Sequence, residues 1–207
     1  MRLIKDIRFV RIATVFLLSI FFIFGSTMQA QNEIITFVCS EWPPFEYMED
    51  DTLKGIDVKI IKEAFLISGI EIAIKILPWN RCINEVKKQT VDGVFSLRKT
   101  LEREQYLLFP EQVLDQSINV LFYSVDKPYY FNGDYNSLKG LIIGTTLGYD
   151  YGENFMTSNI FQKEATSSDE LNFNKLINHR INLFICDKIV GLYILNKYKI
   201  VDKVSYN

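Results

Sequence analysis

Histidine is almost missing from this sequence, with His179 alone in 207 residues. Zinc sites need imidazole or thiolate ligands at short spacing. The three cysteines, Cys39, Cys82 and Cys186, lie too far apart to supply one. Their odd number leaves at least one unpaired within a monomer, and Cys39 and Cys186 end apolar runs, as small buried residues do. No nucleophile and base stand in a recognisable pair, and His179 falls at a predicted helix end, a solvated position that the helix dipole favours for it. Internal repeats and low-complexity tracts are absent, which removes solenoids and propellers. The longest apolar run, Ile12 to Gly25, has about 14 residues, short of the roughly 20 that span a bilayer. The glycine-bearing turn at Gly148 has neither Rossmann nor P-loop spacing, so no cofactor is expected.

What is present at the N-terminus has the order of a secretory signal peptide. Arg2, Lys5, Arg8 and Arg11 precede the apolar run, and Ser26 to Ala30 lead into the polar Gln31, Asn32 and Glu33. This predicts a signal peptide over residues 1–30 and an exported, periplasmic protein beginning near Gln31. No cysteine follows the apolar run closely, which argues against a lipid anchor. Residues 1–30 carry four basic residues and Asp6, so the remaining 177 residues hold 19 basic and 24 acidic ones, a net charge of about −5. Such a balance is poor for nucleic-acid binding. The length suits one large domain or two small lobes.

Asp92 to Glu111 changes character twice in twenty residues. Val91, Val94 and Phe95 read as a short buried strand that ends at Ser96. In open α/β sheets ligands lie beyond the carboxyl ends of strands, so Ser96, Leu97 and Arg98 are expected to face one. Thr100 can cap a short helix with Arg103 in its first turn. A guanidinium beside free backbone N–H groups makes an anion site.

The same stretch resembles the family 3 extracellular solute-binding proteins, receptors that deliver amino acids and other small polar solutes to ABC importers. Asp92, Ser96, Thr100, Glu102, Arg103 and Phe109 fall at the spacings of that family's pattern. The resemblance gives Arg103 the task of gripping a ligand's α-carboxylate. Arg98 and Lys99 stand where the family usually has apolar or hydroxyl residues. Lys54-Gly55-Ile56-Asp57 resembles the family's glycine, hydrophobic, aspartate signature, with Asp57 read as the cap of a helix that Gly69 ends. Pro78-Trp79-Asn80-Arg81 occurs in a branch of the family and puts Trp79 and Arg81 at a strand end, where Arg81 either reaches the cleft or forms a rim ion pair.

Ile34 to Val38 reads as a strand leading into Glu41-Trp42-Pro43-Pro44-Phe45-Glu46-Tyr47, a proline-stiffened loop. By resemblance this loop supplies aromatic walls to the cleft, with Trp42 stacking on the ligand. Cys39 replaces the aspartate with which amino-acid receptors often help to hold the ligand's ammonium. In the second half Leu141 to Gly144 reads as a strand before a turn in which Tyr149 and Asp150 replace the family's usual hydroxyl pair. Ser167 and Glu170 suggest a capping box. Asp187 ends the apolar strand Ile181 to Cys186, where the family's aspartate receives the ligand's ammonium and where it also can cap the next helix.

The reading is therefore an α/β, two-lobed fold of the type II periplasmic-binding-protein kind. Lobe 1 is set at residues 31–124 and lobe 2 at 125–207, because turn-forming and aromatic residues follow Ser124. Family members continue past the point matching Asn207 to complete lobe 1, so the returning segment is expected to be absent. The expected site comprises Arg103, Asp187, Trp42, Ser96, Arg98, Tyr149 and Arg81, with no metal. The expected function is binding of a small, carboxylate-bearing solute by cleft closure, as a monomer serving an ABC permease. A ligand sensor without transport and a cyclohexadienyl-dehydratase-like enzyme are the alternatives.

Overall fold

β-Branched and aromatic residues dominate Ile35–Cys39, which forms strand β1. In the computed structural model, which describes residues 34–207, β1 is the central strand of a parallel sheet. β4 (Ile72–Ile76) and β5 (Gly93–Val94) flank it. The signal peptide expected over residues 1–30 lies outside the described residues. Between β1 and β4 come a hairpin, β2 (Tyr47–Glu49) and β3 (Thr52–Lys54), and helix α1 (Ile56–Ile67). Helix α2 (Trp79–Lys87) joins β4 to β5 and buries Cys82 and Val86.

Gly55 opens α1 with φ 132°, and a Cβ there would lie 1.9 Å from the Phe45 carbonyl oxygen. Only glycine fits this approach. The same contact corrects the expectation that Asp57 caps the helix. Backbone carbonyls of Pro44 and Phe45 accept from the N–H groups of Ile56 and Asp57, so the first turn is satisfied without a side-chain cap. Asp57 instead stands inside the first turn, fully buried. Gly69, at φ 68°, ends the helix as expected.

The second sheet has the order β10-β6-β9-β7-β8. Its strands are β6 (Asn119–Ser124), β7 (Ile142–Thr146), β8 (Gln162–Thr166), β9 (Leu183–Asp187) and β10 (Val204–Tyr206). β7, β8 and β9 are parallel, while β6 runs antiparallel to β9 and β10 to β6. β6, assigned to lobe 1 by composition, is thus a strand of the second sheet. Its pairing with β9, a contact distant in sequence, decides this, and turn composition after Ser124 carries no trace of it.

Helices α3 (Glu153–Thr157), α4 (Asp169–Ile177) and α5 (Lys188–Lys197) complete this half. Ser168, rather than Ser167, caps α4, its hydroxyl accepting from Leu171 N–H at 3.3 Å. Ser167 falls one residue too early for that reach. One face of the sheet packs Phe122, Phe173, Phe184 and Ile194, and this cluster also takes in Phe45 from the loop after β1. The other packs Leu121, Ile143, Phe155 and Leu183. All three cysteines are buried and free. Among the described residues no helix is long and apolar enough to cross a membrane.

Candidate functional site

The two sheets meet where their parallel strands end. The residue after Pro78 beyond β4, Trp79, donates its indole N–H to the Gly148 carbonyl, beyond β7, at 2.8 Å. Its ring lies 6.2 Å, edge to face, from that of Tyr149. Gly148 has φ 79°, and a Cβ there would meet Asn80 Oδ1 at 2.6 Å and Trp79 Cδ1 at 2.8 Å. A side chain at this position would push the two turns apart. Arg98, beyond β5, pairs with Asp150 at 3.6 Å, a second bond between the halves, exposed enough to contribute little by itself.

Arg103 sits at the centre of this contact. Thr100 Oγ1 accepts from Arg103 N–H at 3.2 Å, as a cap does, although the turn it opens is a single 3₁₀ turn, Arg103–Gln105. The Arg103 side chain is buried, with 8% of the residue exposed. Its Nη1 donates to the Arg98 carbonyl at 2.7 Å, and its guanidinium carbon lies 5.4 Å from the centre of the Trp79 ring. Among the described residues no carboxylate pairs with it. A buried guanidinium has five donors, and among the described residues only one of them is used. Arginine is mostly exposed in proteins and is almost never fully buried unless paired.

Asp187 is differently placed. Its Oδ1 accepts from Ile189 N–H at 2.8 Å and Val190 N–H at 3.0 Å, capping α5. Its Oδ2 accepts from Ser117 Oγ at 3.0 Å and Ile118 N–H at 3.1 Å. These four bonds fill the acceptor positions of a carboxylate. Only the Ser117 hydroxyl is an exposed side-chain donor that a ligand could replace. Beside it, Asp169 in the first turn of α4 accepts from the Thr146 hydroxyl, and burial pushes its carboxyl up to about 6. Tyr149 lies within reach of the Asp169 charge. Burial first, and then Asp169, push its phenol well above the usual value.

Of the seven residues expected from sequence, the fold brings Arg103, Arg98 and Tyr149 together around Trp79. Ser96, two residues before Arg98, bonds inward to Glu46 and Asp57. Trp42 stacks on Phe45 at 4.8 Å and packs against the second sheet's core, so part of its face is core rather than wall. Arg81 faces outward, its side chain 66% exposed and 3.8 Å from Glu85, which is the rim ion pair. A separate cavity of about 170 Å³, lined by Phe131, Tyr135, Tyr151 and Phe155 among others, touches none of these seven residues except through chain neighbours.

Residues 34–185 match the bacterial extracellular solute-binding proteins, family 3. The chain belongs to that family. An arginine-binding extracellular protein of Bacillus subtilis (strain 168) is 30% identical over 82 residues, which are 39% of this chain and 32% of that protein. This family 3 chain thus matches about a third of that relative's length. Among solved structures, an arginine transport-system periplasmic binding protein of Legionella pneumophila has a TM-score of 0.67 at 20% identity, covering 84% of this chain and 78% of that one. A histidine kinase sensor domain similar to periplasmic binding proteins has a TM-score of 0.71 at 13% identity, covering 86% and 78%. These likenesses establish the type II periplasmic-binding-protein fold for the family 3 chain. The family and these relatives are named for binding, not for turnover.

Two features of this family 3 protein escaped the sequence reading. Glu46 stands between two aromatics in a loop, with nothing local to mark it as buried. Trp79 was placed at a strand end, but its bond to Gly148 joins residues 69 positions apart.

Proposed function

We propose that this protein binds a small, amino-acid-like solute through its carboxylate between the two sheets, in the periplasm, as a monomer that delivers it to an ABC permease. One observation carries this reading: Arg103 is buried, lies against Trp79, has four unused donors and has no acidic partner among the described residues. A bidentate carboxylate is the group that matches such a fork. Asp187 takes the ammonium in place of the Ser117 hydroxyl, and Trp42 and Tyr149 supply aromatic walls. The arginine-binding relative supports an amino-acid ligand. The two sheets act as the lobes, with β6 in the second. A ligand held by both favours closure through its higher affinity for the closed state.

A thermal-shift screen of amino acids, small di-acids and polyamines tests this. A ligand at about 100 times its Kd adds about 2.7 kcal/mol, which raises Tm by about 5–10 °C in a chain of this size. Stabilisation by a carboxylate-bearing compound is the expected result. Stabilisation by polyamines alone contradicts the reading.

A further inference from the structure

Carboxyl groups gather around Ser96 with no cation among them. Glu46, between β1 and β2, is 2% exposed, and Asp57, in the first turn of α1, is 0% exposed. Asp115, half-buried before β6, adds its charge to both. The other titratable groups coupled to Glu46 are Cys39 of β1, Cys82 of α2 and Tyr149 beyond β7. Among the described residues no lysine or arginine is coupled to it or pairs with it.

The Ser96 hydroxyl lies 3.0 Å from Glu46 Oε2 and 2.6 Å from Asp57 Oδ2. A hydroxyl carries one hydrogen and donates it once. Two ionised carboxylates cannot both accept it, whereas a carboxylic acid at one contact, donating to the serine oxygen, satisfies both. The distances separate them. Charge-assisted O–H···O⁻ bonds run at about 2.5–2.7 Å, so the shorter contact favours Asp57 as the ionised acceptor. The α1 dipole favours a negative charge in the first turn, where Asp57 stands, and Glu46 has no such support.

We propose that Glu46 is a protonated acid at neutral pH that donates to Ser96 Oγ, which donates to Asp57, so that a single retained proton ties the aromatic loop, α1 and the tip of β5 together. Glu46 is thus a positioning residue for the segment that leads from Ser96 to Arg98 and Arg103. Ser96 has φ 57°, a left-handed conformation that is uncommon for serine and needs such restraint. Loss of the proton leaves two carboxylates competing for one hydrogen. The inference holds whether or not the proposed solute binds.

Burial, then the Asp57 charge, pushes the Glu46 carboxyl up to about 9 from 4.5. Because the folded value is the higher one, the stabilisation is complete below the ordinary value and is lost as pH rises towards about 9. Asp57 and Asp169 are pushed up only to about 6, and Cys82 to about 11. Between about pH 6 and about 8, above Asp57 and Asp169 and below the ordinary thiol value at which the cysteines of the unfolded chain ionise, the Glu46 proton dominates this linkage, so the folding constant falls about tenfold per pH unit.

Infrared spectra and urea melts of the full chain, the Glu46→Gln variant and the Asp57→Asn variant test this. At about pH 7.5, midway between the Asp57 value of about 6 and the Glu46 value of about 9, the wild type should show the carbonyl band of a protonated carboxylic acid. The band should persist in Asp57→Asn and vanish in Glu46→Gln. The tenfold-per-unit slope should flatten in Glu46→Gln, whose amide still donates to Ser96. No such band in the wild type overturns the proposal, and so does a band that survives Glu46→Gln and disappears in Asp57→Asn. The wild-type spectrum decides even if a variant fails to fold. An unchanged slope in a folded Glu46→Gln variant also counts against it.

Discussion

Arg103→Ala is expected to abolish useful affinity for a carboxylate ligand while leaving the fold in place. Within the protein the side chain makes one hydrogen bond and one stacking contact, to Arg98 and Trp79. Its loss therefore costs the empty protein about 1 kcal/mol. In the complex the ligand carboxylate would be left desolvated without its partner, which costs about 2–5 kcal/mol, or roughly 30-fold to several thousand-fold in Kd. Arg103→Lys keeps the charge but loses the fork, and should recover only part of the affinity. Titration calorimetry with circular dichroism on the same samples separates lost binding from lost structure.

Asp187→Ala should destabilise the ligand-free protein as well as weaken any ligand whose ammonium it holds. The carboxylate caps α5 and also holds Ser117 and Ile118 at the start of β6, so it fastens β6, β9 and α5 together. Removing an N-cap costs about 1 kcal/mol, and orphaning the buried Val190 N–H adds about 1–3 kcal/mol more. A total near 3 kcal/mol corresponds to a fall in Tm of roughly 6–12 °C in a chain of this length. Scanning calorimetry of the ligand-free protein checks it. A variant that melts as the wild type does would show that the four bonds are weaker than their geometry implies.

This contrast marks how far the sequence could be read. Strands β1, β4, β7 and β9 were legible because apolar, β-branched runs ended at proline, glycine or acidic residues, and Arg103 because its spacing from Asp92, Ser96 and Thr100 is a pattern within one segment. Asp187 was placed at the right strand end, but its Ser117 and Ile118 partners lie 70 and 69 residues away. No local pattern shows that its acceptor positions are filled. β6 was misassigned for the same reason. Its neighbours β9 and β10 are distant in sequence, and composition after Ser124 reports a turn without saying which sheet precedes it. Asp57 looked like a cap because an aspartate before an apolar helical stripe usually is one. The backbone carbonyls of Pro44 and Phe45, which take over that work, become visible only when the loop after β1 is folded onto Gly55.

The proposed role of Arg103, holding a ligand carboxylate between the sheets, is tested most directly by calorimetric titration of the wild type with the tightest amino acid from the screen and with its decarboxylated amine. The two ligands share every group except the one assigned to Arg103. Loss of the carboxylate should weaken binding by about 2 kcal/mol or more, at least roughly 30-fold in Kd, and Arg103→Ala should reduce that difference to near zero. Equal affinity of the wild type for the acid and the amine would contradict the assignment of Arg103 as the carboxylate receptor.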